Sequence, residues 1–260
     1  MQFMGYRRED GRVGVRNYVL ILPGCACASE TCRLVASEVR GTKNVIMNVG
    51  CSDVQANTDM NLRVLTGFAL NPNVFGVIVI GLGCETVGHR ELAAKIRAET
   101  SKPVVSFGIQ EIGGTVATTA AAVKAAREMV AQASEQQREP CDASDLFVAI
   151  ECGGSDATSG IASNPAVGNM SDRIVDLGGT TMMSETIEFV GAEHILAKRG
   201  ATPEIHDQII RICEDYEKHL AGVGQDCRTG QPTTGNKAGG LSTIEEKSLE
   251  VGGQAVLGRQ

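Results

Sequence analysis

The chain has 260 residues, 42% of them apolar and only 3% aromatic with no Trp, and carries a formal charge of −7. A sizeable core can form, but the scarcity of aromatics and the lack of any Lys/Arg run exclude base stacking and a basic nucleic-acid patch. The N-terminus (MQFMGYRREDGRVGVRN) lacks a signal peptide's apolar core, and no stretch approaches the ~20 apolar residues of a membrane span.

A cytoplasmic protein with neither membrane nor nucleic-acid partners is therefore expected. In that compartment nine cysteines do not read as a disulfide framework. With no CxxC…CxxC pattern they do not read as structural zinc either. Buried thiols or ligating thiolates remain.

Residues 17–22 (NYVLIL) read as a buried parallel strand, and 29–40 as a helix. A second strand is expected at 44–48 (NVIMN) and a second helix at 58–70, broken by Asn71-Pro72-Asn73. The strongest strand is 74–80 (VFGVIVI), followed by a helix over 88–99. Residues 103–107 make a fourth strand, and the Ala-rich stretch 115–136 a long helix. Four strand–helix units in series imply a parallel sheet with helices on both faces.

The polar stretch 134–142 (SEQQREPCD) reads as a linker. A second unit opens with the strand 146–150 (LFVAI) and the Gly-rich ECGGSDATSG. A helix over 164–177, a strand over 180–183 and helices over 191–198 and 203–220 follow. From Ala221 the chain turns rich in Gly, Thr and Gln, with a short helix expected within TGNKAGGLSTIEEKS.

In open parallel sheets ligands bind outside the carboxyl ends of the strands. There the first three strands deliver PGCAC (Cys25, Cys27), VGCSD (Cys51, Asp53) and GLGCE (Cys84, Glu85). The second unit delivers ECGGSD, with Glu151, Cys152, Ser155 and Asp156. Four strands thus bring a cysteine to a loop edge, beside Gly and an acid. Thiolates at such a rim suit iron, as a single ion or a cluster. Cys25, Cys51 and Cys84 are the candidate ligands, with Cys152 as the alternate. The plain alternative is small buried residues at tight turns.

Glu85, Asp156, Glu185 and His194 form the pool for a catalytic base and further ligands, the last two from SETIEFVGAEH, which also holds Glu188 and Glu193. Ser155 and Asn164 are candidates for substrate oxygens, and Lys237 for a carboxylate. Acids at a helix start are otherwise favoured by its dipole, and Lys237 otherwise reads as a surface residue. His89, His206 and His219 read as surface residues on helices. Arg7, Arg8, Arg12 and Arg16 read as an anion- or partner-binding arm, or as a solvated one. Gly81, Gly83 and Gly88 give GxGxxxxG, which departs from the dinucleotide loop GxGxxG. An NAD-dependent oxidoreductase is therefore the weakest of the readings.

Several of these segments also carry a resemblance. GYRREDGRVGVRNYVLILP, NPNVFGVIVIGLGCE, IQEIGGT, CGGSDATSGIASNPAVGNMSD, SETIEFVGAEHILAKR and GNKAGGLSTIEEKS, spread over nearly the whole chain, resemble the altronate and galactarate dehydratase family, which includes the large subunit of sulfolactate sulfo-lyase. The resemblance implies a lyase that uses iron, sometimes manganese, on a small anionic hydroxy acid. It also implies a Rossmann-like C-terminal domain and a homodimer formed through the domain before it.

The family often carries a small domain ahead of the GYRR motif, which split members make as a separate subunit, so such a subunit is an expected partner. It also continues past GNKAGG, whereas this chain stops at VGGQAVLGRQ. Where many members have a His before the second cysteine motif, this chain has Asn48.

The expected fold is thus α/β, with parallel Rossmann-like sheets flanked by helices in two consecutive units, 1–137 and a shortened 138–260. The expected reaction is elimination of water from a sugar acid, or of sulfite from sulfolactate. The other reading is a non-catalytic scaffold subunit of a split dehydratase.

Overall fold

The computed structural model describes residues 1–249, so the closing stretch 250–260 of the second expected domain lies outside the described residues. The chain divides into two compact units, Gln2–Cys141 and the residues from Asp142 onward with Met1. The first unit contains β1 (Gln2–Arg7), β2 (Val13–Gly14), β3 (Tyr18–Pro23), α1 (Ser29–Glu38), β4 (Thr42–Asn44), α2 (Gln55–Leu70), β5 (Val74–Gly81), α3 (His89–Glu99), β6 (Val104–Gly108), α4 (Ile109–Ile112), α5 (Thr115–Glu135) and β7 (Glu139–Asp142).

Its main sheet is parallel, in the order β4-β3-β5-β6. Successive side chains of a strand point to opposite faces, and β3 and β5 are apolar on both. Val19, Ile21, Ile78 and Ile80 pack on one side with Cys32 and Val35 of α1 and Ala122, Ala126 and Met129 of α5. Leu20, Leu22, Val77 and Val79 pack on the other with Leu65 and Ala69 of α2 and Leu92, Ala93 and Ile96 of α3. Each such aliphatic residue contributes roughly 1.5–3 kcal/mol on burial, so this sandwich dominates the unit's stability. Because β4 and β5 lie on opposite sides of β3, the topological switch point falls between β3 and β5.

Two stretches differ from the sequence reading. The second strand runs Thr42–Asn44, in register Val19↔Thr42 to Ile21↔Asn44, rather than 44–48. The buried Thr42 hydroxyl donates to the Val39 carbonyl at 2.7 Å, which starts the edge strand directly beyond α1. The apolar run then leaves the sheet, with Ile46 71% exposed. The expected linker contains a strand, β7, which joins β1 and β2 in a second sheet.

Polar residues tie that second sheet together. Arg7 pairs with Glu139 at 2.9 Å, and Arg138 donates to the Met4 and Val15 carbonyls while lying over the Tyr6 ring. The arginine arm is likewise structural. Arg8 donates to the Pro72 carbonyl and Asn17, Arg12 to Asp10, and Arg16 to the Val15 carbonyl.

The second unit is built on β8 (Phe147–Ile150) and β9 (Thr180–Met183), a parallel pair joined through α6 (Ser163–Asp176). Beyond them come α7 (Glu193–Ala197), α8 (Pro203–Gly222), α9 (Cys227–Gly230), α10 (Thr234–Ala238) and α11 (Ile244–Ser248). Thr202 caps α8 by accepting from the Ile205 N–H, with Pro203 in the first turn, where a missing N–H costs nothing. Val190, Cys227 and Ile244 form a small core against Ile187, Tyr216 and Leu220. Among the described residues no helix is long and apolar enough to cross a membrane.

Candidate functional site

Parallel pairing aligns the carboxyl ends of β8 and β9, so the loops that follow them meet. The first loop brings Cys152 and Ser155, and the second brings Glu185 and Glu188. The Cys152 N–H donates to Glu185 Oε2 at 2.8 Å, and the Cys152 Sγ lies 3.2 Å from the Ser155 Oγ. One ligand atom each from Cys152, Glu185 and Glu188 lie within 4.8 Å of one another. Burial pushes the Cys152 thiol up; Ser155 and Lys247 act the other way, and the carboxylates add to the rise. These side chains line a cleft of about 340 Å3 with Glu151, Ser159, Ser163, Asn164 and Phe189. An adjoining open hollow is lined by Gln231, Thr233, Asn236 and Lys247.

Glu188 is the chemically unusual member. It is 93% buried, being 7% exposed. The Lys247 ammonium, itself only 2% exposed, donates to its Oε1 at 2.7 Å. Its Oε2 is buried and has no hydrogen-bond partner among the described residues. An unpaired buried acceptor costs about 1–3 kcal/mol, and one beside a thiol and a second carboxylate is the arrangement a cation would relieve.

The Gly-rich motifs hold this loop in place. The Asn236 amide donates to the Ser155 carbonyl at 2.8 Å, and the Ala157 N–H donates to the Gly239 carbonyl. A Cβ on Gly239 would come within 2.8 Å of the Asp156 side chain, so the GNKAGG segment needs glycine there for close approach. Thr233 and Asn236 form a reciprocal capping box at the start of α10. Gly191 packs against Glu245 of α11, leaving no room for a Cβ.

The first unit uses its strand-end residues differently. Cys25 is buried, and burial pushes its thiol up, whereas Cys27, Cys51 and Cys84 are exposed. Among the described residues, Cys25, Cys51 and Cys84 are not a group of ligand atoms within 4.8 Å; Cys152, Glu185 and Glu188 are. Cys25, Cys51 and Cys84 belong to the first unit and Cys152 to the second.

Glu85 accepts from the Gly83 N–H at 2.5 Å and the His89 N–H at 3.2 Å. Burial raises its pKa, but these backbone donors outweigh that and leave it lowered. His89 is buried rather than on the surface, with Nε2 3.3 Å from Glu111. The glycines after β5 serve this packing: a Cβ on Gly81 would strike Glu85 and His89, and Gly83 has φ +124° against Gln110.

The structure gathers Cys152, Ser155, Asn164 and Glu185 of the sequence candidates around the cleft. Asp156 lines the adjoining hollow but is occupied by Thr158, whose hydroxyl and N–H hold its carboxyl below the usual range. His194 and Lys237 are exposed and line neither cavity. Lys247, Gln231 and Asn236 went unnoticed in the sequence, and Glu188 was only one acid among several. The sequence carried no signal for Lys247, whose burial on one face of α11 with Ile244 and Ser248 appears only in the structure.

The sequence pattern described as D-galactarate dehydratase/altronate hydrolase, second domain, matches residues 5–134. That described as D-galactarate/altronate dehydratase, C-terminal, matches residues 143–255. The (2R)-sulfolactate sulfo-lyase subunit beta of Chromohalobacter salexigens is 41% identical over 95% of this chain and 63% of its own length. The altronate dehydratase of Bacillus subtilis is 34% identical over 95% of this chain and 51% of its own. The galactarate dehydratase (L-threo-forming) of Escherichia coli is 33% identical, also over 95% and 51%. The chain thus spans between about half and 63% of the length of these relatives. By these matches along both units, the chain belongs to the D-galactarate/altronate dehydratase family.

Proposed function

We propose that this chain is the core of a metal-dependent lyase. It would eliminate water from a sugar acid such as altronate or galactarate, or sulfite from sulfolactate, to give a 2-keto-3-deoxy acid or a related product. The observation that carries this reading is the buried Glu188 Oε2, without a hydrogen-bond partner among the described residues, beside Cys152 and Glu185 beyond the carboxyl ends of two parallel strands. One thiol with two carboxylates suits a single Fe2+ or Mn2+ better than a four-iron cluster, which needs more thiolates. Cys152, Glu185 and Glu188 would hold the ion, which would supply polarisation of the substrate carboxylate or leaving group.

The chain's own groups would do the rest. Ser155, Ser159, Ser163 and Asn164 line the cleft and would bind the hydroxyls of the acid. Glu185, with one oxygen on the Cys152 N–H and the other given to the ion, would serve as ligand only. Glu151, which also lines the cleft, would take the proton next to the substrate carboxylate. Loss of that proton and of the neighbouring hydroxyl releases water and leaves an enol, which tautomerises to the keto acid.

The name "subunit beta" of one relative supports a separate small subunit as partner. Exposed Met60, Val64 and Phe68, four residues apart along α2, support a homodimer. Sedimentation of Val64→Glu against the parent tests the dimer; an unchanged mass would reject that face. The function is tested by purifying the chain anaerobically, measuring bound metal, and assaying altronate, galactarate and sulfolactate with and without added Fe2+. Turnover of one of them with metal bound is expected. Protein that binds no metal and turns over none of them would reject the reading.

A further inference from the structure

We propose that Lys247 is the positioning residue of this centre, fixing Glu188 as a one-oxygen ligand; this rests on the metal-lyase reading above. A buried lysine is costly unless its charge is matched, and this one is matched twice. Its Nζ donates to Glu188 Oε1 at 2.7 Å and to Gln231 Oε1 at 3.0 Å. Lys247 comes from α11 and Glu188 from the 3-10 turn Thr186–Phe189 after β9, so a separate helix sets the direction of the carboxylate. With Oε1 occupied, Oε2 is the oxygen left for an ion, and among the described residues it has no hydrogen-bond partner.

The same contact adjusts charge. Cys152, Glu185 and Glu188 stand close together, and bringing two carboxylates together without compensation raises the energy of both. The Lys247 ammonium offsets part of that repulsion when no cation is present, yet it cannot coordinate one. Lys247 therefore shapes the seat without touching the ion. Partners behind a metal ligand, when removed, characteristically weaken metal binding about ten- to a hundredfold.

The test is anaerobic titration of the full chain with Co2+, read by its absorption spectrum and by equilibrium dialysis, alongside thermal melting. The parent should bind cobalt with a thiolate charge-transfer band from Cys152. Lys247→Met should keep that band but bind about ten- to a hundredfold more weakly. If Lys247 acts through Glu188, adding Lys247→Met to Glu188→Gln should cause no further loss. Unchanged affinity in a folded Lys247→Met would overturn the proposal. If that single variant melts below the assay temperature, the Glu188→Gln pair decides, and a further loss in the double variant would overturn it. A parent chain that takes up no cobalt would instead sink the metal reading itself.

Discussion

The two units solve the same local problem in opposite ways. Each places an acid in the segment that follows the carboxyl end of a parallel strand. After β5 the acid Glu85 is satisfied by backbone N–H groups and packs against Gly81 and His89. After β9 the acid Glu188 keeps one oxygen for Lys247 and leaves the other without a hydrogen-bond partner among the described residues. The first arrangement closes a turn, and on the proposed reading the second leaves an oxygen for a metal ion. What distinguishes the two acids is not their neighbours in sequence but whether the backbone satisfies both oxygens.

The sharpest way to break this contrast is to exchange the thiols. Cys152→Ser should abolish metal binding, whereas Cys84→Ser should leave it intact, as read by anaerobic metal analysis. The reverse result would move the centre to the first unit. Next in size is Ile80→Ala, fully buried near the carboxyl end of β5, expected to cost about 2–5 kcal/mol in urea unfolding. Ile244→Ala, in the smaller core of the second unit, should fall near the low end, about 2 kcal/mol.

Glu85→Gln should cost about 1–2 kcal/mol through weakened backbone hydrogen bonds without changing metal content. Its carboxyl is held below its ordinary value of 4.5. Its contribution is therefore present above that pH and is lost as the pH falls through the lowered value. The Gln variant should lack this acid-side loss in a pH series of melts. The smallest effect is Asn236→Ala, expected to cost about 1 kcal/mol by removing a capping-box partner. It also frees the Ser155 carbonyl, so its effect on metal affinity should exceed its effect on stability.

The strands of the first sheet were legible because β3 and β5 bury both faces, which leaves long apolar runs in the sequence. The short strands β1 and β7 were not, since their pairing joins residues such as Arg7 and Glu139, 132 positions apart, through polar side chains that resemble a linker. β4 was misplaced because the apolar run after Asn44 looks more strand-like than Thr42–Asn44, while register with β3 decides the pairing. At the site, Cys152 and Glu185 followed from the rule that ligands gather at strand carboxyl ends. Lys247 did not: it lies 59 residues from Glu188, in a Glu-Glu-Lys helix that reads as solvated surface.

The straps across the cleft also impose an order on biosynthesis. Ser155 is held by Asn236, 81 residues later, and Glu188 by Lys247. Synthesis proceeds from the N-terminus and domains fold as units, so the first sheet can assemble while the ribosome is still reading the second unit. The pocket between β8 and β9 takes its final form only after α11 has left the exit tunnel. A nascent chain thus carries its loops for some seconds without their anchors, and a stop codon ahead of Lys247 would leave the first unit foldable and the cleft unmade.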